Sequence, residues 1–195
     1  FSAAAIMMGW IGVNALAAHQ IAINLASISY MMASGLAAAA MVRVGNQLGR
    51  NDIQRLREIG FTSFGMVTIF MLGVGIALIG LRNFLPALYI DDISVIELTA
   101  SLLIIAGLFQ LSDGIQVVGL GALRGMADVK VPTVITLVAY WVIGLPLGYF
   151  LAFNFGLKEH GIWYGLLVGL TCAAVMLVLR FNRLSKKRLL SARSA

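Results

Sequence analysis

Too few charged side chains are present to wet the surface of a soluble domain: Asp, Glu, Lys and Arg make up 11% of the 195 residues, whereas 61% are hydrophobic. Polar groups normally cover a domain folded in water, so their scarcity points to lipid as the solvent for most of this surface. Cysteine occurs once, at Cys172, which excludes a disulfide framework and a CxxC site. His19 and His160 lie far apart in sequence with no acidic partner at ligand spacing, so they do not suggest a metal centre. No low-complexity stretch occurs. The net charge of +6 would suit nucleic acid, but its distribution along the chain has another cause.

What is abundant is long apolar sequence. Crossing about 30 Å of hydrocarbon takes about 20 apolar residues at about 1.5 Å each. Phe1 to Ala17, Ile21 to Val42, Phe61 to Leu81, Ser94 to Leu123, Val131 to Phe153 and Gly161 to Leu179 meet or approach that length. All are expected to be helices, because an unpaired backbone group in lipid costs several kcal/mol and an open strand leaves a row of them. A closed barrel would need alternating segments of about ten residues, unlike these uniform runs. The fold class is therefore all-α and polytopic, with six transmembrane helices.

Lys and Arg divide the connections. Of the 14 basic residues, only Arg82 and Lys158 fall in the second set of alternating connections. Arg43, Arg50, Arg55, Arg57, Arg124 and Lys130 fall in the first set, together with Arg180, Arg183, Lys186, Lys187, Arg188 and Arg193 of the tail. The positive-inside rule makes the crowded side cytoplasmic, which places the C-terminus inside and accounts for the net charge without nucleic acid. The expected division is a six-helix lobe over residues 1–182 and a basic cytoplasmic tail over 183–195, frayed at its end. The chain opens on Phe1, and the run to Leu16 lacks the basic region of a secretory signal. It reads as a helix entered partway along, in a longer protein whose remaining part precedes it.

The connections carry their own signals. Asn51 and Asp52 can cap a short interfacial helix in which Ile53, Leu56 and Ile59 face one side while Arg55, Arg57 and Glu58 stay in water. Pro132 falls at the start of the fifth span, where a missing amide costs least. Pro146, within Gly144-Leu145-Pro146-Leu147-Gly148, predicts a bend inside it.

One ionisable residue is out of place. Asp113 sits roughly 16 Å of helix from Arg124 and roughly 24 Å from Glu97, with no other charge between them. A carboxylate at such depth costs at least a few kcal/mol unless it is protonated, paired or facing water. Gln110 and Gln116 flank it at three-residue spacing, which puts three polar groups on adjoining turns of one face. Two readings compete. Buried polar glue between helices serves for the amides, whereas the carboxylate favours a group that exchanges a proton or a sodium ion, since Asn would supply glue without the charging cost. Asn14, Gln20, Asn24 and Tyr30 on the first two spans could line a cavity or pack helices. Asp91 and Asp92 sit at the outer mouth, where acids attract cations. The small residues from Gly35 to Ala40, and Gly45 with Gly49, suit close helix approach, and Gly119, Gly121 and Gly125 follow a membrane helix, not the strand that a phosphate loop requires.

Several stretches together resemble the multidrug and toxic compound extrusion (MATE) family, in its bacterial NorM-like branch. They are Ala17-Ala18-His19-Gln20, Arg43-Val44-Gly45-Asn46-Gln47-Leu48-Gly49, Gln110-Leu111-Ser112-Asp113-Gly114-Ile115-Gln116-Val117, Gly121-Ala122-Leu123-Arg124-Gly125, and Tyr140-Trp141-Val142-Ile143-Gly144-Leu145-Pro146-Leu147-Gly148-Tyr149. Their order and spacing cover nearly the whole chain. The resemblance implies the second lobe, helices seven to twelve, of a twelve-helix exporter that resides in the bacterial inner membrane and partners an N-terminal six-helix lobe. It implies export of amphipathic, often cationic drugs in exchange for Na+ or H+, with Asp113 as the coupling acid and no cofactor. Tyr30, Asp91 and Asp92 would lie near the drug site. Members of the branch carry a glutamate that would fall just before Phe1, and a tyrosine one turn before the aspartate where this chain has Phe109.

Rival readings come from other classes. A lipid-linked oligosaccharide flippase of related fold should have a basic cavity for its phosphate, yet the mid-membrane charge is negative. An intramembrane enzyme needs a paired acid and base or an activated nucleophile, and Asp113 has no titratable companion on its helix. A non-transporting membrane subunit would leave the cost of Asp113 without a use.

Overall fold

The structure, a computed structural model, describes residues 2–193, and Phe1, where the first span was placed to begin, lies outside them. Helices α1 (Ser2–Ile11), α2 (Val13–Gly49), α3 (Ile53–Gly80) and α4 (Ile93–Gly125) come first, with a single turn at Pro86–Leu88 between the last two. A fifth span follows as α5 (Lys130–Leu137), a wider π-helical stretch (Val138–Gly144), α6 (Leu145–Tyr149) and a second π stretch (Phe150–Asn154), and α7 (Lys158–Arg193) ends the chain. Among the described residues there is no strand. Five helical segments are long and apolar enough to cross a membrane, and α1 is a shorter apolar helix beside them. This is a multi-pass membrane fold.

Two expected boundaries are corrected. The first break falls at Gly12, and not after Ala17, so Ala17-Ala18-His19-Gln20 lies inside the 37-residue α2. His19, left between the first two expected spans, is instead buried within α2, where its ring meets the Trp163 indole edge-on with centroids 5.6 Å apart. The expected interfacial helix is continuous with the third span in a 28-residue α3. Gly60 does not break it, because its missing side chain makes room for the Phe181 ring: a Cβ there would stand 2.1 Å from Phe181 Cζ. Arg57, expected in water, instead turns to α7, where Nη1 donates to Ser185 Oγ at 2.6 Å and Nη2 to Asn182 Oδ1 at 2.9 Å. Asp52 does cap α3, accepting from the Arg55 amide at 3.0 Å. The basic segment after Asn182 continues α7 as helix to Arg193.

Helix α4 is the axle of the bundle and packs against α2, α3 and α7. Two apolar clusters hold the helices together. One includes Leu102, Leu103, Phe109 and Trp163, and the other includes Val117, Leu123, Met71 and Phe181. Between them, on α4, lies the polar set Gln110, Asp113 and Gln116, all buried. Missing side chains set the helix spacing. A Cβ on Gly121 would stand 2.3 Å from the Ala37 carbonyl oxygen of α2, and one on Gly165 of α7 would stand 2.4 Å from Gly148 Cα. Such approach lets dispersion hold helices that no hydrophobic effect drives together in lipid.

Gly121→Val should therefore lower stability by about 1–3 kcal/mol, read as a lower thermal unfolding midpoint in detergent. Gly65→Ala, where a Cβ meets nothing within 4 Å, should leave that midpoint unchanged or slightly raised.

A mid-membrane acid beside an aromatic cavity

Asp113 lies mid-helix on α4 and is 6% exposed. Among the described residues no hydrogen bond or ion pair reaches its carboxylate, and the ion pair that does form, Arg180 with Asp128 at 2.9 Å, is elsewhere. Its open side faces a cavity of about 770 Å³ lined also by Tyr30 of α2, Phe109 and Gln116 of α4, and Tyr140 and Trp141 of the first π stretch. Ser2 and Ile6 of α1, Gly144 of the π stretch and Leu166 of α7 complete much of the wall. The volume is that of a drug-sized site, and the wall is largely apolar with a few convergent polar groups.

The neighbouring amides are held differently. Gln110 is fully buried and accepts from Ser29 Oγ of α2 at 3.0 Å, while its Nε2 has no partner among the described residues. Gln116 accepts a short hydrogen bond from the Tyr140 hydroxyl, which ties the π stretch to the helix of the acid. Phe109 stacks on Trp163, centroids 5.4 Å apart and planes 19° apart, so it forms the floor of the cavity in place of a hydroxyl ligand.

Of the residues singled out from sequence, Asp113, Gln116, Phe109 and Tyr30 share the cavity, and Gln110 is not part of its lining. Gln20 is exposed and Asn24 accepts from the Tyr89 hydroxyl at 2.9 Å; neither lines the cavity. Asp91 and Asp92 are exposed and also lie outside the lining. Asp92 is the N-cap of α4, accepting from Ser94 Oγ at 2.7 Å and the Ser94 amide at 2.9 Å, and those bonds hold its carboxyl below the usual carboxylate range. Asn14 joins that cap by donating to Ser94 Oγ at 3.0 Å. Sequence reasoning did not select Tyr140 and Trp141 as cavity residues, although the aromatic pair four residues ahead of a Gly-Leu-Pro was a visible signal.

No three His, Cys, Asp or Glu side chains among the described residues come together as a metal site. A small cation at Asp113 would take one carboxylate with neutral oxygens, and Gln116, Tyr140 and Tyr30 present amide and hydroxyl groups to the same space. Oxygen donors of this kind suit a hard cation or a proton and would not retain a soft transition metal.

Comparison with known proteins converges on one family. The family model described as MatE matches residues 1–150. The chain is 41% identical to a probable multidrug resistance protein NorM of Agrobacterium fabrum over 198 residues, covering 99% of this chain and 43% of that protein. It is 43% identical to the multidrug resistance protein NorM of Burkholderia vietnamiensis over 187 residues, covering 93% of this chain and 40% of that protein. Among solved structures, a eukaryotic MATE transporter superposes with TM-score 0.81 at 25% identity, over 91% of this chain and 41% of that one. A MATE structure in a bent conformation has the same fold, with TM-score 0.89 at 16% identity over 98% of this chain and 43% of that one. The chain thus spans about two fifths of the length of these relatives.

The pairing of Ser29 with Gln110 can be tested by a double-mutant cycle. Ser29→Ala strands the Gln110 carbonyl and should cost about 1–2 kcal/mol in detergent unfolding, whereas Ser29→Ala with Gln110→Leu removes both polar groups and should recover most of that loss.

Proposed function

This chain belongs to the MatE family, and on that premise we propose that it is the six-helix C-terminal lobe of a multidrug efflux antiporter driven by Na+ or H+. The single observation that carries the reading is Asp113, a buried acid with no basic partner, opening on a cavity of about 770 Å³. A carboxylate fixed in an ion pair could not exchange its counter-charge; this one can take a proton or a small cation from the cavity and release it. The two occupancies compete for one site, which is the minimum that ion-coupled exchange requires.

The cavity also fits the proposed cargo. Aromatic faces at Tyr30, Tyr140 and Trp141 favour flat or cationic molecules, and the negative charge of Asp113 adds attraction when no ion occupies it. Occupied and empty states of Asp113 differ in charge on α4, and the Tyr140 to Gln116 hydrogen bond passes that difference to the fifth span. Alternating access would follow from rocking of this lobe against an N-terminal lobe, with drug and ion favouring opposite states. The segregation of basic residues supports insertion in the bacterial inner membrane with the C-terminus cytoplasmic. A flippase for an anionic lipid-linked sugar is disfavoured because no Lys or Arg lines the cavity. The same lining offers no acid and base pair of the kind catalysis would need.

Asp113→Asn in the full-length transporter should insert and unfold like the parent protein yet lose roughly 5- to 150-fold of its ion-driven drug transport. Dye efflux from proteoliposomes under an imposed Na+ or H+ gradient measures this, and transport at the parental rate would refute the assignment.

A further inference from the structure

A second cavity, of about 580 Å³, lies at the opposite end of the chemistry, between the end of α2, the start of α3 and the late turns of α7. Its lining combines an apolar part, Leu48, Ile53 and Leu184, with a cationic part, Lys187 and Arg188, and the neutral polar residues Asn51 and Ser191. On α7 the residues Leu184, Lys187 and Arg188 follow helical spacing and share one face. We infer that this groove binds the phosphate headgroup of an anionic phospholipid from the membrane leaflet at the basic end of the bundle.

Depth is the first support. Leu184 lies 26 residues along α7 from Lys158, roughly 39 Å at about 1.5 Å per residue. That exceeds about 30 Å of hydrocarbon and falls inside the roughly 40–45 Å that includes the headgroups. The cations one turn further on, roughly 44–45 Å along, therefore reach the outer part of the headgroup region. Charge is the second support. Arg188 is half-buried and fixed by one bond, Nη2 to the Met126 carbonyl at 3.1 Å, which leaves its other N–H groups available. The Lys187 side chain is exposed and has no hydrogen bond or ion pair among the described residues. Acids nearby are engaged elsewhere: Asp52 caps α3 and Asp128 is paired with Arg180, and neither lines the groove.

The apolar half decides between sources of phosphate. A free anion gains nothing from Leu48, Ile53 and Leu184, whereas a phospholipid lays its glycerol and upper acyl chain on them while the phosphate meets the cations. Bound there, the lipid would bridge α2, α3 and α7. The inference rests on the membrane fold and not on the transport reading, so binding can fail or succeed independently of drug export.

The test is native mass spectrometry of the intact protein in uncharged detergent, titrated with phosphatidylglycerol or phosphatidylcholine. Phosphatidylglycerol should be retained in preference, and Lys187→Gln, which leaves the Arg188 contact in place, should lower its occupancy roughly fivefold. Lys187→Arg should restore it. Lys186→Gln, at a neighbouring cation outside the groove, should leave it unchanged. Equal retention of phosphatidylcholine would overturn the proposal, and so would an equal loss from Lys186→Gln, which would mark general surface attraction. Displacement of the lipid by millimolar inorganic phosphate would also overturn it, as a free-anion site.

Discussion

The helix that carries Asp113 is also the one on which α2, α3 and α7 pack, and that coincidence constrains the rest of the lobe. Any change of charge at this position would be felt by the helices packed on α4. The lobe accommodates it by layering: an apolar cluster above, an apolar cluster below, and a polar layer of Gln110, Asp113 and Gln116 between. Each apolar cluster can stay packed while the layer changes its protonation, ion content or hydrogen bonds. A single continuous apolar core through this level would leave the carboxylate no neighbour but oil, and its charging would have to break packing on all sides.

Much of this was legible from sequence because lipid imposes simple rules. Length and hydropathy place each apolar run on a helix, since no helix in oil can leave its backbone unpaired, although α2, α3 and α7 extend well beyond the expected bounds. Asp113 was identifiable because one carboxylate in a long apolar run has few cheap explanations. What escaped were features decided by tertiary partners. His19 fell between two expected spans, and its burial against Trp163 is invisible until α7 is placed. Arg57 belongs by composition in water, but α7 offers it Ser185 and Asn182. The break at Gly12 and the continuity through Gly60 involve the same residue type with opposite outcomes. The difference lies in what stands opposite, the Phe181 ring at Gly60 and open space at Gly12.

The fifth span shows how a local fault can become a working part. Proline lacks the N–H that an α ladder needs and its ring crowds the carbonyl a turn before it. Pro146 therefore signals a departure from α geometry, and the structure takes that departure as a π stretch ending at Gly144, with the Leu145 amide donating to the Tyr140 carbonyl. A π turn widens the helix and rotates the side chains that follow it. Tyr140 and Trp141, which line the cavity, lie within this stretch.

Because Tyr140 also donates to Gln116, the π stretch and the polar layer of α4 are joined by a side-chain bond, not by apolar contact alone. Such a bond is directional and responds to the field of a carboxylate one turn away on α4, whereas packing of Leu or Val would hardly register it. The fifth span is also set against α7 through Gly148 and Gly165, where the backbones almost touch. Close backbone contact resists separation but presents few side chains to interlock, so sliding along that seam costs less than opening it. The fifth span is thus tied to the polar layer of α4 by a side-chain hydrogen bond and to α7 by close backbone contact.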